Sequence, residues 1–511
     1  MTTRVFALLT ALSLAACATT DAPPPQGPRY AASLPQLNDA YFIAAAARIA
    51  AAPENGRARN VILFVGDGMG VTTVTAARIY AGQVRGLDGE SYTLAMDTFP
   101  NVALSRTYGN DAQISDSAPT ATALMSGVKT NDGIVGLSMG STPGQCAGQD
   151  AHVARSIFEI AEEAGLATGI VSTARITHAT PASAYAHVAD RDWENDVEAA
   201  NRGGAACTDI ARQLVEWNAG DGFEIALGGG RSNFLTAATA DPELPNARGA
   251  RADGRDLTAQ WRARSGNHAY VWNTQQLNAA APDAHILGLF SPSHMAYEVQ
   301  RAQDPGGEPS LAEMTAAAIR RLAREPNGYV LLIEGGRIDH AHHGGVAAVA
   351  LSETDAYDQA IRTALEMTSR EDTLIIATAD HSHTLTMSGY ARRGNPILGL
   401  SGDPQRGAVL ADDGLPYTTL GYMNGPGAVF PRVPEGATEA PAITHRPNPG
   451  DSNTQALDYR QQALYPMWSE THGGEDVAIY AWGPGDTAVR GTMEQNTVFH
   501  VMARALGFSW R

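Results

Sequence analysis

Two stretches of the sequence combine carboxylates and imidazoles at spacings that could hold a metal ion. In the segment from Glu334 to His343, Asp339 and His343 lie four residues apart, so one turn of helix would point both side chains at one ion. A carboxylate oxygen together with an imidazole nitrogen suits Zn²⁺. Asp380 and His381 form a second pair of the same types. Either stretch alone could be a solvated surface or a structural pair, but two in one chain favour a metal site.

A candidate nucleophile lies in the segment Ser115-Asp116-Ser117-Ala118-Pro119. Its structural interpretation is a helix start, with Asp116 or Ser117 as the N-cap and Pro119 in the first turn. Its functional interpretation keeps the same geometry. A serine at a helix N-terminus lies where backbone N–H groups and the helix dipole favour a phosphate, and a metal could hold its oxygen as an alkoxide.

From Asn60 onward, short apolar runs of strand length alternate with helical patterns, which predicts βαβ units around a buried parallel sheet. The runs are 61–65, 169–172, 329–333, 373–377 and 477–480. Asp67, Glu334 and Asp380 each follow one of these runs closely. Open α/β sheets bind ligands at the carboxyl ends of their strands, so we expect these acidic groups to converge at one edge.

Helical patterns flank these strands. Residues 310–324 begin with Ser310 and Glu313 at capping-box spacing, and their predicted apolar stripe is Leu311, Met314, Ala318 and Leu322. The alanine-rich residues 34–52 predict an N-terminal helix, with an apolar side formed by Leu37, Tyr41, Ala44 and Ala45. Gly, Pro and Asn interrupt the pattern later in the chain, so we predict a surface insertion over about residues 392–470.

The composition indicates a globular protein. The chain has 511 residues, of which 44% are apolar, and a formal net charge of −18. This charge, without a run of Lys and Arg longer than a pair, argues against nucleic acid as a partner and against an anionic membrane surface. Any anionic substrate must therefore meet a locally positive site.

The N-terminus predicts export. The apolar run 5–16 follows Arg4 and is too short to span a bilayer, so it is typical of a signal peptide. The run ends in Leu14-Ala15-Ala16-Cys17, which resembles the lipobox of bacterial lipoproteins and makes Cys17 the predicted lipidation site. Simple cleavage after Ala18 is the alternative. We expect residues 1–17 to be removed or lipidated, residues 18–33 to form a Pro-rich tether, and the protein to lie in the periplasm or on the outer membrane through a lipid anchor.

The other two cysteines, Cys146 and Cys207, form an even pair in an oxidising compartment, for which a disulfide is the default. Closing this loop of about 60 residues would stabilise the fold by about 4 kcal/mol in the chain-entropy model.

Six segments of the sequence, in this order, together resemble the alkaline phosphatase family. They are 67–70 (Asp-Gly-Met-Gly), 116–118 (Asp-Ser-Ala), 177–182 (Thr-His-Ala-Thr-Pro-Ala), 334–340 (Glu-Gly-Gly-Arg-Ile-Asp-His), 378–383 (Thr-Ala-Asp-His-Ser-His) and 471–477 (Thr-His-Gly-Gly-Glu-Asp-Val). The resemblance runs from about Asn60 to Ala505. His178 and the segment 459–462 (Tyr-Arg-Gln-Gln) are more similar to the animal branch than to the enterobacterial one.

The resemblance implies a metal site with two Zn²⁺ and one Mg²⁺ per subunit. A first zinc would be bound by Asp339, His343 and His472, and a second by Asp67, Asp380, His381 and the oxygen of Ser117. A magnesium would be bound by Asp67, Thr180 and Glu334, with His178 beside it; His178 leaves open whether this third site holds magnesium or zinc. Arg191 would bind phosphate and Asp116 would orient it.

The resemblance also implies a fold, a reaction and an assembly. The fold would be α/β, with a central, mostly parallel sheet and helices on both faces, in one domain over residues 34–511. The reaction would be hydrolysis of small phosphate monoesters, with broad specificity, through a phosphoserine intermediate on Ser117. The assembly would be a homodimer, in which residues 18–52 contribute to dimerisation.

Two departures from the family pattern and two rival functions keep other interpretations open. Pro119 creates Ser-x-Pro, as in sulfatases, but position 121 is alanine instead of the arginine that completes that signature. Phosphodiesterases of the same superfamily usually lack the third metal site that Thr180 and Glu334 would supply. A peripheral Ca²⁺ site of the animal branch matches at Glu243, the carbonyl of Phe290 and Glu308, but Ser291 replaces an expected glutamate. A non-catalytic, anchored metal-binding protein with the same fold is the remaining alternative.

Overall fold

The computed structural model describes residues 30–264, 266–403, 405–429 and 446–510. Its strands are β1 (Tyr30–Ala32), β2 (Asn60–Gly66), β3 (Asn101–Arg106), β4 (Ala167–Arg175), β5 (Ile225–Gly229), β6 (His268–Val271), β7 (His285–Leu289), β8 (Tyr329–Gly335), β9 (Thr373–Ala379), β10 (Ser382–His383), β11 (Leu385–Met387), β12 (Gly402–Asp403), β13 (Gly407–Ala408), β14 (Leu420–Gly425), β15 (Ala463–Pro466), β16 (His472–Gly473), β17 (Val477–Trp482), β18 (Gly491–Glu494) and β19 (Phe508–Trp510).

The α-helices lie between these strands and near both ends of the described chain. They are α1 (Ala40–Ala50), α2 (Val71–Val84), α3 (Ser117–Ser126), α4 (Ile157–Glu163), α5 (Ala179–Ala182), α6 (Asp196–Asn201), α7 (Ile210–Glu216), α8 (Leu257–Arg262), α9 (Thr274–Ala279), α10 (Glu298–Arg301), α11 (Leu311–Leu322), α12 (Arg337–His343), α13 (Ala347–Met367) and α14 (Thr497–Leu506).

A ten-stranded sheet forms the centre of the fold, in the order β18-β3-β17-β9-β2-β8-β4-β5-β7-β6. Neighbouring strands are parallel except at β17, which pairs antiparallel with both β3 and β9. The predicted fold class, a mostly parallel sheet in an α/β protein, is confirmed.

Helices cover both faces of this sheet because its central strands are apolar on both sides. Along β2, Val61, Leu63 and Val65 belong to one buried cluster, whereas Ile62 and Phe64 belong to the other. Helices α1, α3, α4 and α14 contribute to the first cluster, and α2, α11 and α13 contribute to the second. Continuous apolar runs are the pattern expected of parallel strands that are buried on both faces.

The two predicted helices have different outcomes. Helix α11 begins after Ser310, and both hydrogen bonds of the capping box with Glu313 are present. The N-terminal stretch instead divides into a 3₁₀ turn over Pro35–Asn38 and helix α1, with Asp39 as the N-cap. The predicted apolar side is confirmed at Ala45 and wrong at Ala44, which is exposed, while Leu37 and Tyr41 are partly buried. The buried side chains of α1 are Phe42, Ala45 and Ile49, and Phe42 packs against α14 and the C-terminal strand.

The ends of the predicted tether and insertion also take defined structure. Residues 30–32 at the end of the tether form β1, which pairs with β19. Residues 420–425 and 463–466 of the insertion join β11 in a three-stranded sheet that is separate from the central one. The signal peptide, Cys17 and residues 18–29 lie outside the described residues, as do positions 430–445 of the insertion.

The predicted disulfide between Cys146 and Cys207 is confirmed, and it closes a loop with a sequence separation of 61. Among the residues that the structure describes, no helix is both long and apolar enough to cross a membrane.

Candidate active site

Three neighbouring strands bring the acidic residues of the site together. Strand β2 pairs in parallel with β8 on one side and with β9 on the other, and Gly66 is in register with both Gly335 and Ala379. Asp67, Glu334 and Asp380 therefore emerge side by side at the carboxyl edge of the sheet. All three side chains are fully buried.

A first group of candidate metal ligands comes from helix α12 and strand β16. His343 Nε2 lies 3.3 Å from Asp339 Oδ1 and 3.3 Å from His472 Nε2, and His472 Nε2 lies 3.4 Å from Asp339 Oδ1. Zinc bonds of about 2.0–2.1 Å in tetrahedral geometry separate neighbouring ligand atoms by about 3.3–3.4 Å. The three atoms therefore have the spacing that one tetrahedral zinc ion requires.

A second group has the same spacing and includes the candidate nucleophile. His381 Nε2 lies 3.4 Å from Asp67 Oδ1 and 3.4 Å from Asp380 Oδ2. Ser117 Oγ lies 3.3 Å from Asp67 Oδ1 and 3.2 Å from His381 Nε2. Each of these four distances is that of neighbouring ligands on one tetrahedral zinc ion, of which the serine oxygen would be the fourth ligand.

A third group consists of buried oxygens. Within the described residues, Asp67 Oδ2, Thr180 Oγ1 and Glu334 Oε1 make no hydrogen bond of acceptable geometry. Buried polar atoms are normally satisfied, so three such oxygens are suited to be the ligands of a bound cation. Oxygen ligands suit Mg²⁺. A nitrogen of His178 lies within 4.8 Å of carboxylate oxygens of Asp67 and Glu334.

Asp116 and His178 hold the guanidinium of Arg191 from two sides. Arg191 Nη1 donates to Asp116 Oδ1, and Arg191 Nη2 lies 2.8 Å from His178 Nε2. Burial, followed by the charge of Arg191, lowers the pKa of His178 well below its usual value, so the ring is neutral and its Nε2 can accept this bond. Each terminal nitrogen of Arg191 keeps a second N–H group that can bind an anion.

Ser117 is the first residue of helix α3, and Asp116 is the N-cap. The predicted helix start is therefore present, with Pro119 in the first turn. The side chain of Asp116 does not cap the helix; it binds Arg191 instead. The N-terminal N–H groups of α3 remain available near the serine hydroxyl, which is the arrangement that favours an anionic ligand.

The electrostatics of the site indicate a need for positive charge. Burial, reinforced by neighbouring carboxylates, raises the pKa of Glu334 to about 7 and of Asp380 to about 6, and raises that of Asp67 well above its usual value. Asp116 differs, because Arg191 overcomes the effect of burial and lowers its pKa to about 2. The positive charge of Arg191 acts to lower the pKa of Asp67, but it does not offset the burial of the three carboxylates, which bound divalent ions would stabilise.

The sequence prediction did not assign a role to His383, which the structure places among the ligands. His383 Nε2 lies 2.7 Å from Asp339 Oδ1, and His383 Nδ1 contacts Glu470 Oε2. Such a link from a ligating carboxylate through an imidazole to a second carboxylate orients a metal ligand. Its position in the sequence could have indicated this role, because His383 follows the predicted ligand His381 by two residues in the segment 378–383.

Gly68 leaves the space that His383 occupies. Its φ is +67°, and a Cβ atom at this position would lie 2.4 Å from Cδ2 of the His383 ring. The backbone N–H of Gly68 also donates to Asp380 Oδ1 at 3.0 Å. Glycine therefore allows the turn after β2 to approach two ligand-bearing segments at once.

The predicted calcium ligands have other partners. Glu243 Oε2 accepts a hydrogen bond of 2.6 Å from Arg231, which already supplies a positive charge there. Glu308 Oε2 accepts from the backbone N–H of Ala296 at 2.8 Å, and the backbone N–H of Phe290 donates to Gly228. Nothing in this geometry tests the calcium site, which stays a prediction.

Comparisons with known proteins agree with this geometry. The family profile described as alkaline phosphatase matches residues 58–508. The tissue-nonspecific alkaline phosphatase of Gallus gallus is 46% identical over 465 residues, covering 88% of this chain and 84% of the relative. This similarity agrees with the predicted resemblance to the animal branch.

Two solved structures share the fold. The alkaline phosphatase of Thermus thermophilus has a TM-score of 0.62 and 26% identity, covering 89% of this chain and 93% of that one. A variant of the alkaline phosphatase from the Antarctic bacterium TAB5, solved with Mg bound in its M3 site, has a TM-score of 0.59 and 21% identity, covering 88% of this chain and 98% of that one. The profile match, which extends over most of the chain, and the sequence relatives show that this protein belongs to the alkaline phosphatase family.

Proposed function

We propose that the protein hydrolyses phosphate monoesters and that Ser117 is the nucleophile. One observation carries the proposal: the hydroxyl of Ser117 lies among the second group of candidate ligands, while the preceding residue, Asp116, holds Arg191 beside it. A nucleophile, an anion-binding guanidinium and the N-terminus of helix α3 thus meet at one point.

The metal requirement that we propose is two Zn²⁺ and one Mg²⁺. Asp339, His343 and His472 would hold the first zinc. Asp67, Asp380, His381 and Ser117 would hold the second, and Asp67, Thr180 and Glu334 would hold the magnesium. When bound, these ions supply Lewis-acid charge that lowers the pKa of a coordinated hydroxyl or water and neutralises phosphate oxygens.

The chain's own residues perform the remaining steps. Ser117 Oγ forms a bond to phosphorus as the bond from phosphorus to the leaving oxygen breaks, and the proton that Ser117 gives up ends on that oxygen, so an alcohol leaves. Water then attacks the phosphoserine, the bond between phosphorus and Ser117 Oγ breaks, one proton of the water returns to Ser117 Oγ, and phosphate leaves. In both steps the free N–H groups of Arg191 bind two phosphate oxygens in a fork, and Asp116 keeps that fork in place. A diester has one charged oxygen fewer for Arg191, which favours monoesters.

The test is hydrolysis by protein that starts at Ala18, with zinc and magnesium supplied, at neutral and alkaline pH. A phosphate monoester, a phosphate diester and a sulfate ester are compared. We expect fast monoester turnover and its loss in Ser117→Ala, because this substitution removes the oxygen that forms the bond to phosphorus. Ser126→Ala is the matched control, since Ser126 is the last residue of the same helix and bonds to Thr122. Acid quenching should trap phosphate on the Ser117 peptide.

Other outcomes would replace the proposal. A preference for the diester or the sulfate would show that this member of the family hydrolyses another kind of ester. Zinc binding without turnover, unchanged in Ser117→Ala, would make it a metal-binding protein on a phosphatase fold.

We also propose export with a lipid anchor at Cys17. The support is the apolar run 5–16 followed by the lipobox-like segment that ends at Cys17. In a bacterial host, Cys17→Ser should release the protein from the membrane fraction into the soluble periplasmic fraction. Mass spectrometry of the mature N-terminus separates lipidation from simple cleavage, because only the former adds acyl chains to residue 17.

We propose a homodimer in which the outer face of helix α1 contributes to the contact. Deleting residues 18–52 should weaken dimerisation, but it would also remove Phe42, which is buried against α14. Ile43 is a sharper site, because its side chain is 53% exposed on the opposite face. We expect Ile43→Glu to give monomers by light scattering; an unchanged dimer would remove this role for the helix.

A further inference from the structure

Three segments of the chain meet at the side chain of Glu194, behind the candidate active site. The first follows strand β4 and carries His178 and Thr180. The second contains Glu194 itself and carries Arg191, and the third is the turn after strand β5, which contains Asn233. Glu194 is only 4% exposed. A carboxylate is costly to bury unless it is paired, so its partners indicate what it does.

Both oxygens of Glu194 bind donors from the other two segments. Oε2 accepts from Arg175 Nε at 2.7 Å, from Thr177 Oγ1 at 2.5 Å and from Asn233 Nδ2 at 3.0 Å. Oε1 accepts from Arg175 Nη2 at 2.5 Å. Asn233 Nδ2 also donates to Thr177 Oγ1 at 2.8 Å, which closes a triangle of hydrogen bonds with Glu194. We call these four side chains the Glu194 network.

The network requires an acceptor with a negative charge at position 194. In the described part of the chain, the partners of this carboxylate are all donors, and the side chain of Arg175 is only 25% exposed. Charge-assisted hydrogen bonds of this kind are shorter and stronger than neutral ones. A glutamine in place of Glu194 would turn its NH₂ group toward one of these donors in either orientation of the amide, and that hydrogen bond would be lost.

The network fixes the segment that carries His178 against the segment that carries Arg191. Thr177 immediately precedes His178, whose backbone N–H donates to the carbonyl of Arg175 at 2.9 Å. Glu194 lies three residues after Arg191. The two segments meet again where Arg191 Nη2 lies 2.8 Å from His178 Nε2. Hydrogen bonds one residue away on one segment, and three residues away on the other, therefore support this contact.

We propose that Glu194 is a positioning residue, which holds the segment of His178 and Thr180 in place relative to Arg191. Thr180 lies three residues after Thr177, and its buried Oγ1 is one of the candidate magnesium ligands. Loss of the network should therefore weaken the binding of both phosphate and Mg²⁺. Zinc binding should not change, because none of the candidate zinc ligands lies on these segments. This inference rests on the proposed function and adds a residue that touches neither the substrate nor an ion.

The test measures two affinities by calorimetry in wild type, Glu194→Gln and Thr177→Val. They are the affinity of zinc-loaded protein for Mg²⁺, and the affinity for inorganic phosphate with both metals present. We expect both to fall about tenfold in Glu194→Gln, because small displacements of binding groups are costly in a preorganised site. Thr177→Val keeps the ion pair between Arg175 and Glu194 and removes one hydroxyl, so both affinities should fall about fivefold.

The matched control is Asp241→Asn, which also changes a buried carboxylate that is paired with an arginine. Asp241 is 4% exposed and accepts from Arg231 at 2.7 and 2.8 Å, but it lies outside the Glu194 network. This variant should be less stable in urea unfolding, while its affinities for phosphate and Mg²⁺ stay within about twofold of wild type. Competition with a fluorescent chelator should give the same zinc affinity in all four proteins.

Unchanged affinities for phosphate and Mg²⁺ in both network variants, even with lowered stability, would make Glu194 a purely structural residue and overturn the proposal. A loss of zinc affinity as large as that of magnesium affinity would overturn it too, because it would indicate general damage to the site. If Glu194→Gln does not fold, Thr177→Val decides the question. A wild type that binds phosphate more tightly than both variants but hydrolyses no ester would refute the proposed hydrolysis and support the positioning role.

Discussion

Replacing His383 should weaken zinc binding at the first group of ligands without changing any ligand. The side chain is fully buried, with one nitrogen 2.7 Å from Asp339 Oδ1 and the other on Glu470. In His383→Ala, Asp339 loses the bond that orients its carboxylate. Glu470 still accepts from the backbone N–H of Thr384 at 2.6 Å, so the main effect falls on Asp339.

The expected magnitude follows from this geometry. Losing an outer partner of a metal ligand typically lowers metal affinity by about 10- to 100-fold. This corresponds to about 1.4–2.7 kcal/mol of binding free energy. His383→Gln should lose less, because a glutamine N–H can still donate to Asp339. Competition with a fluorescent zinc chelator measures the affinity directly, and activity in His383→Ala should recover when zinc is raised.

The matched control is His500→Ala, which removes another buried histidine whose ring packs on Phe42, at 4.4 Å between centroids. Its loss should affect folding stability more than zinc affinity. If His383→Ala bound zinc within about twofold of wild type, while its circular dichroism was unchanged, the link through His383 would not orient Asp339 and the reasoning would fail.

Three further predictions follow from other parts of the fold. Gly68→Ala should lose zinc and activity, because its Cβ atom would clash with the ring of His383. The control is Gly86→Ala, which has a similar φ of +79° but no atom within 4 Å of the added Cβ, so it should cause backbone strain alone. Equal metal content in the two variants would contradict this prediction. Burial raises the pKa of Glu224 to about 8, so the folded state retains a proton that the unfolded state loses, and stability falls as pH rises from about 4.5 to about 8. In urea unfolding, Glu224→Gln should therefore stabilise the protein by more than about 1 kcal/mol at pH 8 and have little effect near pH 4.5. An equal effect at both pH values would show that the raised pKa of Glu224 is not the cause. Replacing both Cys146 and Cys207 by serine should lower the free energy of unfolding by about 4 kcal/mol in the same assay. A reductant should lower the stability of the wild type and leave that of the variant unchanged.

Much of the fold and of the site was predictable because the signals are local. The apolar runs of β2, β4, β8, β9 and β17 are contiguous in sequence. The first four strands are buried on both faces, which requires such runs whatever surrounds them. The spacing of Asp339 and His343 is set by helical geometry alone. The capping box at Ser310 involves residues three apart, so it too could be identified without tertiary information.

The tertiary structure decided what depends on contacts between distant segments. Asp116 and Arg191 are 75 residues apart, and their pairing, with His178 on the other side of the guanidinium, exists only after α3 and the loop beyond α5 pack together. The buried side of helix α1 was predicted correctly at Ala45 but not at Phe42 and Ile49, because alanine spacing does not show which face meets α14.

The sequence by itself thus determined five of the ten strands of the central sheet, the order of the motifs and the types of ligand, because these depend on short runs and fixed spacings. Only the fold determined that His383 joins Asp339 to Glu470, and that Glu194 binds Asn233. Both depend on loops that are far apart in the chain but meet at one edge of the sheet. Packing and electrostatic interactions depend on distance in space, which the sequence alone does not show.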